Sequence, residues 1–110
     1  MDVLTINQIN PSQESPVPLR TVFEEKIREG MAVSMGTVTI PPGKRVPLQG
    51  VSNHIQNEYS IIVKGSILTE CGGKTYRVSS GDATFIRAGE EHIAYNDGKE
   101  DCEVIWMLVG

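Results

Sequence analysis

Stiff, β-branched side chains dominate this sequence. Valine and isoleucine occur 11 times each and threonine 7 times, whereas the chain has 5 leucines and 4 alanines. β-branched side chains fit the pleated surface of a strand and lose rotamer freedom in a helix, whereas leucine and alanine are among the best helix formers. With 110 residues, 39% of them hydrophobic, the chain has room for one core but not for two. The composition therefore predicts a single all-β domain.

Short apolar runs separated by turn residues follow one another after residue 18. The run from Met31 to Ile40 ends at two prolines and a glycine, the pattern of a strand followed by a turn. The segment from Arg20 to Gly30 fits either a short helix or a strand, and we favour a strand. A loop is expected from Lys44 to about Ser52, and six further strands are predicted at residues 54–64, 66–70, 75–78, 83–87, 92–96 and 102–110. Such short strands, with turn signals about every 8 to 12 residues, are typical of a sandwich or barrel.

The N-terminal segment differs from the rest in composition. Residues 7–18 contain three prolines among asparagine, glutamine and serine, which favours an extended arm without regular structure. We therefore expect an N-terminal arm, residues 1–18, followed by one β-barrel domain, residues 19–110.

Charge and hydropathy exclude several classes of partner. Fourteen acidic against ten basic residues give a net charge of −4, the wrong sign for a protein that binds a phosphate backbone, so no nucleic-acid partner is expected. No apolar run is long enough to cross a membrane, and the N-terminus lacks a secretory signal, so we expect a cytoplasmic protein without membrane attachment. Cys71 and Cys102 are then expected to be free thiols.

The chain has only two histidines, and each lies near the start of a predicted strand. Because side chains two apart on a strand face the same way, His54, Gln56 and Glu58 share one face. If His92 faces the same interior, two imidazoles and a carboxylate converge. This set can hold a divalent first-row metal and leave coordination positions open. Strand histidines are also common as ordinary core or surface residues, and spacing alone leaves both interpretations open.

Two segments resemble the paired motifs of the cupin family. In residues 54–65, His54 is followed by three residues, Glu58, six residues and a glycine, which resembles the second half of the first cupin motif. Residues 81–96 read glycine, seven residues, glycine, two residues, His92, three residues and asparagine, which resembles the second motif. The resemblance extends over roughly residues 40–109.

The resemblance implies a double-stranded β-helix, or jelly-roll barrel, with a central pocket. It implies a divalent metal, with manganese, iron, nickel and zinc as the main candidates, held by His54, Glu58 and His92. The first histidine of the family motif is missing, and Ser52 stands at its position. Residues that could complete the metal shell or line the pocket are Gln49, Ser52, Asn53 and Gln56. Arg87 replaces the proline usual in the second motif and could contact an anion at the barrel mouth.

The resemblance also implies a homodimer, with the N-terminal arm as a natural element to lie along an open sheet edge of the partner. The leading functional hypothesis is a small cupin that binds one divalent metal and binds or acts on a small polar metabolite. The alternative is a metal-free pocket, serving either as a small-molecule sensor or as a metal-independent isomerase that uses a histidine with Glu58. Whether the protein is an enzyme stays open at this point.

Overall fold

The computed structural model describes residues 1–110 and contains nine β-strands and a single turn of 3₁₀ helix at Ile6–Gln8. The strands are β1 Leu19–Arg28, β2 Met31–Ile40, β3 Arg45–Val46, β4 Asn57–Lys64, β5 Ser66–Cys71, β6 Lys74–Ser79, β7 Ala83–Ile86, β8 His92–Tyr95 and β9 Cys102–Val109. The all-β prediction is confirmed, and the segment that fitted either a helix or a strand is strand β1. No helix has the length and apolar character needed to cross a membrane.

The strands form two antiparallel sheets. One has five strands in the order β1-β2-β9-β4-β7, and the other has four in the order β3-β8-β5-β6. Neighbours in each sheet are mostly distant in sequence, because the chain crosses from one sheet to the other along its length. This is the predicted jelly-roll arrangement, with inward side chains of both sheets facing one interior.

Two local predictions differ from the structure. The two-residue strand β3 lies in the predicted loop, since a strand this short has no periodicity and is defined by its pairing with β8. The second difference is the start of β4, which is Asn57 and not the predicted His54. The backbone bends at Ile55 and Gln56, and the His54 ring bonds the Gln56 carbonyl across that bend.

One end of the interior is a closed apolar cluster. Its six buried members come from both sheets: Ile40, Ile62, Ile67, Val78, Cys102 and Val104. The cluster is sealed beside the turn at Gly65, which has φ +77° and lies against the chain before β9. A Cβ at Gly65 would overlap the Asp101 carbonyl oxygen and lie 3.0 Å from the Cys102 Cα. Both the backbone angle and the space therefore require glycine here.

Asn96 holds the loop that leads into β9. Its fully buried amide donates hydrogen bonds to the carbonyls of Ile40 at 2.7 Å and Glu100 at 2.8 Å. Its side-chain oxygen accepts a hydrogen bond from the Gly98 N–H at 2.9 Å. The buried side chain is thus hydrogen-bonded at both polar ends, and its role is structural.

The segment before β1 is held against its own sheet. Val17 is buried, and the Pro18 carbonyl accepts a hydrogen bond from the Thr39 N–H at 2.9 Å. Further back, the Arg20 guanidinium donates to the Ile9 carbonyl at 2.8 Å. The division into an arm and a barrel at residue 18 stays a prediction.

Candidate metal centre

The other end of the interior is a cavity of about 490 Å³. Its lining includes Ile40, Ile67, Val78 and Val104, so the apolar cluster forms the floor. Above the floor the walls carry polar as well as apolar side chains. The polar wall residues include Ser34, Ser52, Glu58, Ser60, Thr69 and His92.

Three potential metal ligands converge in this cavity. His54 lies just before β4, Glu58 is the second residue of β4, and His92 is the first residue of β8 in the opposite sheet. Their ligand atoms all lie within 4.8 Å of one another. His54 Nε2 lies 3.7 Å from Glu58 Oε1, and the two imidazole centroids are 5.0 Å apart. The structure thus brings together the two imidazoles and the carboxylate named from the sequence.

Backbone carbonyls set the tautomer of both imidazoles. His54 Nδ1 lies 2.6 Å from the Gln56 carbonyl oxygen, and His92 Nδ1 lies 2.9 Å from the Glu90 carbonyl oxygen. A carbonyl can only accept, so each Nδ1 carries a proton, and in the neutral form of each ring the lone pair is on Nε2. A hydrogen bond of this kind commonly orients a metal-binding imidazole. His54 Nε2 is buried and has no hydrogen-bond partner, so this donor set fits a divalent metal.

The loops that carry the two histidines are bound to each other. The His92 N–H donates to the Ser52 carbonyl at 3.0 Å, and the Ser52 N–H donates back to the His92 carbonyl at 2.9 Å. The Gly89 N–H donates to the His54 carbonyl at 2.9 Å. These bonds hold the strand-preceding loop of one sheet against the start of β8 in the other. The backbone therefore holds the two histidine positions close together.

Some of the further candidate site residues line the cavity and others do not. Ser52 and Gln56 line it, whereas Gln49, Asn53 and Arg87 do not. Gln49 and Asn53 lie on the exposed loop before β4, where the chain has not yet turned inward.

Gln56 and Arg87 have contacts of their own. The Gln56 amide donates to the carbonyls of Ala32 at 3.3 Å and Gly110 at 3.1 Å, which ties the cavity rim to β2 and the end of β9. The Arg87 guanidinium lies 4.9 Å from the centre of the Phe85 ring, on the outer side of β7. Arg87 therefore faces away from the cavity, and no lysine or arginine lines it.

Trp106 forms part of the cavity wall, a position that the sequence analysis did not predict. The side chain is almost fully buried, and its ring lies over Gly36, where an added Cβ would come within 2.6 Å of it. In the sheet register Trp106 stands between Gly36 and Ser60. Ser60 lies two residues after Glu58 and therefore faces the same interior. This alternation is the signal that could have placed Ser60 in the cavity wall.

Cys71 lies beside the candidate ligands, on a smaller pocket of about 340 Å³ that also includes His92. Its Sγ lies 3.8 Å from Glu90 Oε2. Burial raises the pKa of the Cys71 thiol, and the negative charges of Glu90 and Glu58 raise it further. The thiol therefore stays protonated at neutral pH, and a protonated thiol is a poor metal ligand. The candidate metal ligands are thus the two imidazoles and the Glu58 carboxylate.

Fold and site together define a jelly-roll protein with a candidate two-histidine, one-carboxylate metal centre. The sequence matches the Cupin_2 family, described as a cupin domain, over residues 36–108, and the chain belongs to this family.

A further match is to the alginate biosynthesis protein AlgA of Pseudomonas aeruginosa, with 32% identity over 73 residues. The match includes 66% of this chain but only 15% of the AlgA chain.

Solved structures show the same fold at low sequence identity. The Cnp3 cupin domain of Schizosaccharomyces pombe has a TM-score of 0.77 and 18% identity, over 94% of this chain and 70% of that one. A predicted oxalate decarboxylase from Thermotoga maritima has a TM-score of 0.71 and 22% identity, over 98% of both chains. The cupin_2 domain of an XRE family transcriptional regulator from Enterobacter cloacae has a TM-score of 0.67 and 11% identity, over 82% of this chain and 92% of that one. These similarities establish the fold.

Proposed function

We propose that this cupin holds one divalent first-row metal ion through His54, Glu58 and His92 and uses the cavity around it to bind a small polar metabolite. The observation that carries the proposal is the hydrogen bonding of the two imidazoles. Both Nδ1 atoms are bonded to backbone carbonyls, and the His54 Nε2 is buried without a partner within 4.8 Å of the other ligand atoms. A buried acceptor without a hydrogen bond is costly unless something binds it.

The donor set suits manganese, iron, nickel or zinc. Two neutral imidazoles and a carboxylate supply three ligands and leave coordination positions for water or a chelating metabolite. When bound, such a metal supplies Lewis-acid or oxygen-activating chemistry. The chain itself orients the two rings through the Gln56 and Glu90 carbonyls and offers the hydroxyls of Ser34 and Ser60 to a ligand in the cavity.

The size of the cavity supports a small-molecule ligand. Its volume of about 490 Å³ lies within the usual range for small-molecule pockets. Because no lysine or arginine lines it, an anionic ligand would depend on the metal for its counter-charge. The described role of the matched relative, in alginate biosynthesis, supports a sugar-derived or carboxylated metabolite as the class to screen first.

A metal-free pocket is the second candidate. It is supported by the absence of the first motif histidine, at whose position this chain has Ser52. In this case the His54–Glu58 pair, at 3.7 Å, would act as a hydrogen-bonding pair or general base for a sensor or an isomerase.

Metal content distinguishes the two candidates. Untagged protein purified without added metal, then exposed to each of the four ions and desalted, should retain about one equivalent of at least one ion by elemental analysis. Glu58→Gln keeps the shape of the side chain and removes its charge, so retention should fall sharply. Glu91→Gln makes the same chemical change at an exposed neighbour of His92 and should retain the ion. Wild-type protein that retains none of the four ions would contradict the metal site and favour the metal-free pocket.

A further inference from the structure

The tryptophan in the cavity wall has a hydrogen-bond donor that no group of the chain accepts. Trp106 is the single tryptophan of the sequence, and it lines the cavity with only 8% of the residue exposed. Its indole Nε1 is buried and forms no hydrogen bond. A buried tryptophan N–H normally has a partner, because leaving it unpaired costs free energy. A phenylalanine would fill much of the same space without this cost, so the N–H indicates a partner from outside the chain.

The strands on both sides of Trp106 determine what surrounds the ring. Gly36 of β2 pairs with Trp106, and a Cβ at Gly36 would lie 2.6 Å from the Trp106 Cζ2 atom, which is two bonds from Nε1. The missing side chain therefore lets the N–H edge of the ring approach β2 closely. On the other side, Ser60 of β4 pairs with Trp106, and it is also buried and lines the cavity. Paired residues share one face of a sheet, so Ser60 and Trp106 form a neutral polar pair on the cavity wall.

This neutral pair lies close to the candidate metal centre. Ser60 follows Glu58 by two residues on β4, and both side chains line the cavity. Two residues of a strand span about 7 Å. A short-chain molecule that binds the metal at one end can therefore place its other end beside Ser60 and Trp106.

The carboxylates of the cavity have no cationic side chain to balance them. Glu58 and Glu24 are the acidic residues of the lining, and no lysine or arginine lines the cavity. Glu24 is an exposed residue of β1. A divalent ion at the candidate metal centre would balance these two negative charges, with no positive charge left for a second anionic group. A ligand carboxylate beside Ser60 and Trp106 would thus be buried without a cation, which is costly.

We propose that Ser60 and Trp106 form a specificity subsite for an uncharged oxygen group of the ligand, at the end remote from the metal. The Trp106 N–H donates to a carbonyl or hydroxyl oxygen there, and the Ser60 hydroxyl donates or accepts beside it. The ligand class is a short hydroxy or carbonyl compound that binds the metal through one end and is uncharged at the other. This inference rests on the proposed function, because the metal holds the first end of the ligand.

Three four-carbon probes that differ only at the remote end test this ligand class. Malate, its 4-amide and 2-hydroxybutyrate share an α-hydroxycarboxylate that chelates divalent ions, and their fourth carbon is a carboxylate, a carboxamide and a methyl group respectively. Calorimetry measures their affinities for protein loaded with the ion that it retains among manganese, iron, nickel and zinc. The amide should bind about tenfold more tightly than 2-hydroxybutyrate, because its carbonyl accepts from the N–H. It should also bind about tenfold more tightly than malate, because it brings no second charge into the cavity.

Removal of the N–H tests the subsite directly. Because the chain has a single tryptophan, a benzothiophene analogue with sulfur in place of the N–H replaces Trp106 alone and keeps the shape of the ring. The preference for the amide over 2-hydroxybutyrate should fall to about twofold or less in this protein and in Trp106→Phe. Ser60→Ala should weaken binding of the amide by about threefold. Tyr95→Phe removes a polar group from an exposed aromatic ring outside the cavity and should keep the full preference.

Metal content separates failure of the subsite from failure of the proposed function. Both Trp106 variants should retain the ion by elemental analysis, since neither changes a candidate ligand. Wild-type protein that retains none of the four ions overturns the proposed function together with the subsite that rests on it. With the ion retained, three results overturn the subsite alone: no preference for the amide, tighter binding of malate than of the amide, or a preference that persists without the N–H.

Discussion

The two ends of the barrel interior are built from the same strands but differ in chemistry. On β4, Glu58, Ser60 and Ile62 all face inward, and over these five residues the interior changes from carboxylate to hydroxyl to fully buried isoleucine. At the closed end Ile62 and Cys102 are surrounded by other apolar side chains. At the open end His54 Nε2 is buried without a hydrogen bond.

Because of this difference, we expect the closed end to determine the stability of the fold and the open end to determine ligand binding. Burial of apolar surface at the closed end stabilises the fold without any ligand, because its contacts are complete. The open end holds polar groups whose partners are absent from the chain itself, which costs stability in the free protein. A change at the closed end should therefore alter the free energy of unfolding and leave binding intact, whereas a change at the open end should do the reverse.

The largest expected effect is at the closed end. Ile62→Ala removes a buried side chain and leaves a cavity, so the free energy of unfolding should fall by about 2 to 5 kcal/mol, measured by urea denaturation. The matched control is Ser60→Ala, on the same strand and face, which should cost less than about 1 kcal/mol. Equal losses in the two variants would mean that the open end contributes as much to stability as the closed end.

Metal should produce the next largest effect, and only through the open end. A ligand at 100 times its dissociation constant stabilises the native state by about 2.7 kcal/mol. For a chain of this length the unfolding midpoint should rise on the order of 10 °C when manganese, iron, nickel or zinc is added to chelator-treated protein. His92→Ala should abolish the rise, whereas Ile62→Ala should lower the baseline and keep it. An unchanged wild-type midpoint with all four ions would favour the metal-free pocket.

Alkaline pH should weaken the closed end through Cys102. Burial raises the pKa of this thiol from 9.0 to about 11, and the charges of Glu103 and Glu100 add to the rise. Between these pH values the unfolded chain releases a proton that the folded chain retains, so the free energy of unfolding should fall as pH increases, by roughly 2 kcal/mol in all. Well below pH 9 the Cys102 thiol is protonated in both the folded and the unfolded chain, so it adds nothing to the pH dependence of the free energy of unfolding.

The measurement is the pH dependence of denaturation from pH 8 to pH 11. Cys102→Ala should flatten the slope relative to wild type, and Cys71→Ser, on the smaller pocket beside His92, should retain most of it. A slope that disappears with Cys71→Ser and persists with Cys102→Ala would assign the titration to Cys71 and contradict the role of Cys102.

The smallest expected effect is at the cavity rim. Gln56→Ala removes two hydrogen bonds to backbone carbonyls, of 3.1 and 3.3 Å, from a partly exposed side chain. The free energy of unfolding should fall by about 1 kcal/mol, with metal content unchanged and affinity for a cavity ligand altered. A loss of metal from this variant would show that the Gln56 side chain, and not only its carbonyl, supports His54.

Much of the fold follows from local patterns. The strand from Met31 to Ile40 was predicted with both its limits, and two prolines and a glycine mark its end. The limits of β4 were less accurate, since the bend at Gln56 depends on a hydrogen bond to the His54 ring. The two-residue strand β3 could not be predicted, because its only signal is the partner strand.

The sequence by itself determined the all-β class, the paired cupin motifs and the three candidate ligands, because these depend on residue type and short spacing. Only the tertiary structure decided which further side chains reach the cavity, because this depends on how the two sheets face each other. It brought Ser60 and Trp106 to the interior and turned Arg87 outward over Phe85. Sheet register, which is a property of the folded chain, also aligns five apolar side chains on the outer face of the five-stranded sheet: Phe23, Met35, Met107, Tyr59 and Phe85.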